Sequence, residues 1–378
     1  MFIKKIMQPK PTEHEIIVAG GGISGAAVAY GLAKKGHKVT MIDAPTETNK
    51  ASRTNVGLLW CQSKFAHLPD YAKWGFHSCR LFPELTKELE EVSGVEIPVN
   101  YTGGLIACLG DDEFNTRQDY IGKLKEELGE YNGSMIDRAE LERKLPKVPF
   151  GPEVTGAAWC EEDGIVEPLA LLRAYLVGFE RAGGIIKNTL IHDVQPVGGG
   201  YRVITEDGPM DCERLVLAAG LANRRLAQFA IADLPVSADK GQVLLVERMP
   251  YVMPIPMLGV TQTFGGTIII GFRHEFVGHD TRIIPEDIAT EGKWAIRVWP
   301  ELGRQRLIRA WSGLRVMPDD KQAIYSKLPG HPNATIINTH SAVTLAAVHT
   351  RYIPDFIINE DLPELARGMT LKRFGYTC

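Results

Sequence analysis

The segment EIIVAGGGISGAAVAYGLAKKGHKVTMID, from Glu15 to Asp43, leaves a chain like this few folds to choose from. It reads as a buried strand, a glycine turn, a helix of small residues ending at Gly36, and a second strand ending at Asp43: a βαβ unit. Gly20, Gly22 and Gly25 form GxGxxG at the strand-to-helix turn. The first permits the tight turn, the second lets a pyrophosphate approach the backbone, and the third lets helix and strand pack closely. Backbone N–H groups at the helix start, around Ile23 and Ser24, then hold phosphate oxygens. Asp43 stands eighteen residues past Gly25, followed by Ala44. A carboxylate there accepts hydrogen bonds from ribose hydroxyls and disfavours a 2′-phosphate. The unit predicts a dinucleotide site, with which both NAD and FAD are compatible.

The rest of the chain carries no repeat and no low-complexity segment. A polar loop is expected from Ala44 to Arg53, then a helix over Tyr71 to Ser93 whose stripe of Trp74, Cys79, Leu81, Phe82, Leu85 and Leu89 faces a core. A strand is expected at Tyr101 to Leu109, a charged, solvated helix at Asp111 to Leu128, and a helix from Pro168 to Gly183. Strands follow near Ile185 to Val194, Tyr201 to Thr205, Arg214 to Gly220, and in a block from Gly241 to Gly271. The last third holds a strand at Thr335 to Asn338 and a helix from about Val343. This order predicts a mixed α/β fold: a dinucleotide-binding domain built from residues 14–90, 150–222 and 310–378, interleaved with an antiparallel-sheet substrate domain of 91–149 and 223–309.

With 378 residues, 44% of them hydrophobic, the chain can bury a large core, and a net charge of −4 gives no reason to expect nucleic acid or an anionic membrane as partner. The six cysteines are dispersed, without CxxC or a neighbouring His at ligand spacing, so neither a metal site nor a disulfide framework is indicated. The leader Met1 to Glu13 is too short in apolar residues for a signal peptide, and no stretch reaches the roughly eighteen apolar residues of a membrane span. A cytoplasmic protein with small-molecule partners is the expectation.

Beyond the βαβ unit, several runs are similar to the D-amino-acid-oxidase-like family of FAD enzymes: ASRTNVGLL (Ala51 to Leu59), TGGL (Thr102 to Leu105), DGIVEPLALLRAY (Asp163 to Tyr175), LVLAAG (Leu215 to Gly220), GTIIIGFRHEFVGHD (Gly266 to Asp280), SGLRVMPD (Ser312 to Asp319) and HSAVTLA (His340 to Ala346). The resemblance covers nearly the whole chain and implies non-covalent FAD, since the cysteine that sarcosine oxidases place after the GLRxxxxD segment is absent. It implies that Ser52, Arg53 and Asn55 meet the pyrophosphate or ribityl chain, that Gly57 lets the backbone approach the flavin, and that Leu58 lines its catalytic face. Ile191 would offer backbone groups to the adenine, with Ala219 and Gly220 close to the cofactor. Ser341, Ala342, Val343 and Thr344 would bring the N–H groups of a helix start to the flavin edge where negative charge develops. Ala342 stands where the family more often has glycine.

For the substrate, the resemblance implies that Arg315 clamps a carboxylate as a bidentate fork and so orients Cα–H toward flavin N5; the imine formed by hydride transfer then hydrolyses. The amine must be unprotonated for this, and His274 is the titratable residue to watch. Trp60, Gln62, Gln262 and Arg273 are further pocket candidates, each with a structural reading of its own. GLLWCQ and QTFGGTIIIG lean toward the opine, hydroxyproline and iminodiacid members, hence toward a secondary amine with one or two carboxylates, the second carboxylate falling to Arg273 or Lys64. Electrons would pass to O2 or to a redox partner subunit. An NAD-linked dehydrogenase is the alternative, although it leaves LVLAAG and HSAVTLA without a task.

Overall fold

The computed structural model describes residues 14–45, 50–63 and 67–377; Lys64 lies outside them. The expected first strand, His14–Ala19, pairs in parallel with Val39–Asp43 on one side and Gly208–Leu217 on the other. Ile185–Asn188 and His331–Asn338 extend this parallel layer at either end. Ile324–Leu328 adds an antiparallel edge, and the hairpin Ile191–Val197/Gly200–Thr205 pairs with the first half of Gly208–Leu217. Alternation along the first strand explains why both faces are covered. Ile16 and Val18 enter the helical core, while Ile17 and Ala19 enter a second core with Tyr201, Leu226 and Ile231.

The helical face consists of Ile23–Lys34, Pro69–Ser93, Pro168–Arg181 and Ala346–Arg351, packed on one another. Ile23–Lys34 is buried almost throughout, which its run of small residues allows. A Cβ on Gly31 would lie 2.4 Å from the Thr350 carbonyl oxygen. In Pro69–Ser93 the residues Trp74, Cys79, Phe82, Leu85 and Leu89 are buried as the spacing predicts, with Leu81 at the margin. Each such large apolar side chain stabilises the fold by about 2 kcal/mol.

A second sheet runs Gly259–Gln262, Ile268–Gly271, Val236–Val246 and Leu307–Pro318, all antiparallel. The three strands Gly104–Leu109, Val154–Cys160 and Ser134–Asp137 join it through Met257, which bridges Leu105 on one side and Val260 on the other. Val154–Cys160, from 150–222, and Leu307–Pro318, which runs into 310–378, therefore pair in this second layer rather than in the parallel one. Pro285–Val298 covers one face, burying Ala295 and Val298 against Leu244, Val260 and Ile270.

Several local expectations shift. The loop after Asp43 contains a short helix, Ala51–Thr54, and the strand expected from Tyr101 begins at Gly104. The helix expected from Val343 begins at Ala346, preceded by a turn over 342–345. Among the described residues no helix is long and apolar enough to cross a membrane.

Candidate active site

One cleft of about 1170 Å³ lies along the ends of the parallel strands and reaches the second sheet. Gly20, Gly22, Ile23, Ser24, Asp43 and Ala44 line its first stretch. Gly20 has φ 107°, and a Cβ there would lie 2.5 Å from the Ala218 carbonyl oxygen. Gly25 is not in the wall. Its Cβ would lie 1.9 Å from the Gly20 carbonyl oxygen, so its task is the helix–strand contact. Ser52 Oγ accepts the Ile23 N–H at 2.9 Å, tying the Ala51–Thr54 helix to the glycine turn. Arg53, the next residue of that helix, is exposed and outside the wall. Both Asp43 carboxylate oxygens lie 3.0 Å from Lys50 Nζ, which also donates to the Ala44 carbonyl at 2.7 Å.

The next stretch is held by side-chain caps. Asn55 Oδ1 accepts the Gly57 N–H at 2.9 Å. Gly57 has φ 77°, and a Cβ there would lie 2.0 Å from the Val166 carbonyl oxygen, so the strand Gly164–Val166 already demands glycine. The Trp60 N–H donates to Thr344 Oγ1 at 3.1 Å, which joins this loop to the turn 342–345. In that turn the N–H groups of Ala342, Val343 and Thr344 have no acceptor among the described residues, and all three residues, like Ser341 and Leu58, line the cleft. The expected helix start is thus a turn, but one that still presents consecutive donors.

At the far end Ile191, Ala219 and Gly220 are in the wall. The Ile191 carbonyl accepts from Arg225 Nη2 at 2.7 Å, and buried Asn223 accepts the Ala219 N–H at 2.9 Å while its Nδ2 donates to Asn338 Oδ1 at 2.9 Å. Sequence reasoning misses both Arg225 and Asn223, because lone polar residues after an apolar strand carry no periodic signal.

Three residues expected in the pocket are engaged elsewhere. Gln62 is buried with Nε2 donating to Asp163 Oδ2 at 2.7 Å. Gln262 is buried, its Oε1 accepting the Val252 and Met253 N–H groups at 2.8 and 3.0 Å. Arg273 pairs with Asp287 at 3.0 Å. None of the three lines the cleft. Gln62 and Gln262 satisfy buried backbone or carboxylate groups, a need that sequence alone does not show.

Arg315 and His274 do line it, with Trp60. Arg315 Nη1 donates to the Arg273 carbonyl at 3.0 Å, and its side chain is 27% exposed. Burial pulls the guanidinium below its ordinary value, countered by the carboxylates of Asp239, Glu291 and Glu275; it stays charged. Glu291 is fully buried, with Oε1 accepting the Phe272 and Arg273 N–H groups at 3.2 and 3.1 Å. Burial pushes its carboxyl up despite those bonds. Among the described residues no cluster of three or more His, Cys, Asp or Glu could hold a metal ion.

The cleft fits an elongated dinucleotide. Glycines leave the turn open, the donor-bearing residues 342–344 are in the wall, and Thr189 Oγ1 and Trp60 Nε1, both on cleft residues, are buried without a partner among the described residues. A family model described as FAD dependent oxidoreductase, DAO, matches residues 15–353. An opine oxidase subunit from Agrobacterium tumefaciens is 31% identical over 369 residues, covering 96% of this chain and 98% of that protein. The crystal structure of glycine oxidase from Geobacillus kaustophilus superposes with a TM-score of 0.88 at 21% identity, covering 95% of this chain and 98% of the other. Iminodiacetate oxidase from Chelativorans sp. BNC1 gives a TM-score of 0.83 at 19% identity, over 94% and 98%.

Proposed function

Because this chain belongs to the DAO family of FAD-dependent oxidoreductases and is similar to proteins named opine oxidase and glycine oxidase, we propose that it oxidises a small N-substituted amino acid, with Arg315 as carboxylate clamp. The observation that carries this reading is that Arg315 and His274 line the same cleft as the glycine turn and the Ala342–Thr344 donors. FAD, when bound, supplies the two-electron acceptor. Gly20, Gly22, Ile23, Ser24 and Ser52 would hold its pyrophosphate, and Asp43 its ribose hydroxyls, in exchange for part of the Lys50 contact. Arg53 stays outside the wall, and Asn55 serves the loop itself by capping Gly57. The N–H groups at 342–344 would meet negative charge as it develops.

Arg315 lies on the second sheet and, part-buried at the cleft wall, offers a planar fork to a carboxylate. That contact would orient the substrate's Cα–H, which is most of what the reaction asks of the protein. Arg273 is engaged by Asp287 and lies outside the cleft wall, which leaves it less free to meet a second carboxylate. The secondary-amine class, which includes iminodiacids, sarcosine, D-proline, hydroxyproline and opines, is supported by the end-to-end match to a protein named opine oxidase. That protein is named as one subunit of its enzyme, which supports the second reading: electrons passing to a partner chain instead of O2.

The test is the visible spectrum of the purified flavoprotein under anaerobic addition of sarcosine, iminodiacetate, D-proline, D-hydroxyproline, glycine and an opine in turn, then air. One or more secondary amines should bleach the flavin band while glycine does so poorly. Fast recovery in air marks an oxidase and slow recovery a partner acceptor. A band that none of them bleaches removes the proposed reaction.

A further inference from the structure

Two cleft residues with different tasks end on one carboxylate. Asp239 lies in the strand Val236–Val246 with a side chain 0% exposed, and the antiparallel strand Leu307–Pro318 sets Arg315 directly opposite. His274 Nδ1 is 2.5 Å from Asp239 Oδ2, Arg315 Nη1 is 3.5 Å from Oδ1, and Oδ1 also accepts the Glu275 N–H at 3.2 Å. Glycine two residues along the same strand makes room: a Cβ on Gly241 would lie 2.4 Å from Arg315 Nη2.

A fully buried carboxylate is costly unless its oxygens are satisfied. A simple counterion for Arg315 would form a short fork with the guanidinium. Here the long contact goes to arginine and the short one to histidine, so the imidazole is the principal partner. An ionised carboxylate only accepts, hence Nδ1 carries the hydrogen and a neutral ring keeps its lone pair on Nε2. The His274 side chain is 50% exposed and lines the cleft, and Nε2 has no hydrogen-bond partner among the described residues. The neighbouring cations are occupied: Lys240 with Glu275 at 2.8 Å, Arg273 with Asp287 at 3.0 Å and Arg282 with Asp280 at 2.6 Å.

We propose that Asp239 is a positioning residue that holds His274 as the Nδ1–H tautomer, so that Nε2 takes the proton of the substrate's ammonium while Arg315 holds its carboxylate. This rests on the reaction proposed above. In the step, an N–H bond of the ammonium breaks, an Nε2–H bond forms, and the electron pair stays on the amine nitrogen, where it assists loss of the Cα–H. The imidazolium produced lies against the Asp239 carboxylate.

The experiment measures the limiting rate of anaerobic flavin reduction, with the amine that bleaches the wild type, for Asp239→Asn, His274→Gln and the double variant. It also measures the affinity of each for propionate, a carboxylate without nitrogen. Each single variant should lose roughly 10²-fold in rate, the double variant should match His274→Gln within about twofold, and propionate affinity in Asp239→Asn should stay within about threefold of wild type. A full Asp239→Asn penalty repeated on the His274→Gln background, unchanged rates, or a tenfold loss of propionate affinity at unchanged rate makes Asp239 a counterion and overturns the inference while leaving the reaction intact. A wild-type flavin reduced by none of the amines removes both.

Should Asp239→Asn not fold, His274→Gly carries the test. Imidazole, whose N–H can reach Asp239, should restore the rate and N-methylimidazole should not. Equal rescue by the two overturns the role of Asp239.

Discussion

His349 shows how much one enclosed side chain can set. It is wholly buried, its Nε2 2.9 Å from Tyr325 Oη, and Tyr325 Oη accepts from Trp74 Nε1 at 3.3 Å. Burial without a compensating carboxylate pushes its imidazole down from 6.5 to about 3. The folded state therefore binds fewer protons than the unfolded chain between those values, and stability rises with pH across that window. It is full above the unfolded value and is lost as pH falls toward about 3, by up to roughly 1.4 kcal/mol per unit. Melting temperatures taken from about pH 7 down to about pH 5 should fall more steeply for the wild type than for His349→Gln; parallel curves would show that another group sets the slope. Glu291 works in the opposite sense, since burial raises its carboxyl. Its stabilising effect is present at low pH and is lost as pH climbs through the raised value.

Among the elements, the contact between the first strand and the first helix leaves the least tolerance. The Gly25 Cβ position meets backbone, the Gly20 carbonyl oxygen at 1.9 Å, and backbone cannot rotate aside as a side chain can. Gly25→Ala should open the turn, lower the melting temperature by several degrees, about 2 kcal/mol or more, and weaken FAD binding at least about tenfold. Equilibrium dialysis with FAD and a thermal melt check both, and unchanged FAD affinity would show that the turn adapts. Gly36, with open space around its Cβ position, is the control. At Gly36 the φ of 91° makes an asparagine a gentler change than alanine.

Over the whole molecule, the cleft is bordered by both sheets, so a ligand filling it binds a folded arrangement that neither sheet provides alone. FAD at about 100 times its dissociation constant should add about 2.7 kcal/mol to unfolding, with the melting temperature rising with FAD concentration. Calorimetry of protein stripped of flavin, with and without added FAD, measures this. A single transition that moves with FAD fits one cooperative unit; a second transition insensitive to FAD would mean that one sheet unfolds independently.

The glycine turn, Asp43 and the apolar run of the first buried strand were legible in the sequence because each is a local pattern of spacing or composition. So were the stripe of Pro69–Ser93 and the bounds of Asp111–Leu128. The motif resemblance also indicated Arg315, His274 and the 341–344 segment, all of which border the cleft. What the tertiary structure decided was which polar groups meet. Lys50 on Asp43, Asp163 on Gln62, Asp287 on Arg273, and Asp239 between His274 and Arg315 are contacts across loops or opposite strands. Their sequence separations run from 7 residues for Lys50–Asp43 to 101 for Gln62–Asp163. Hydrophobic periodicity records which face of an element is buried, but a buried carboxylate finds its partner only when separate strands are brought into register, and nothing in either segment alone encodes that meeting.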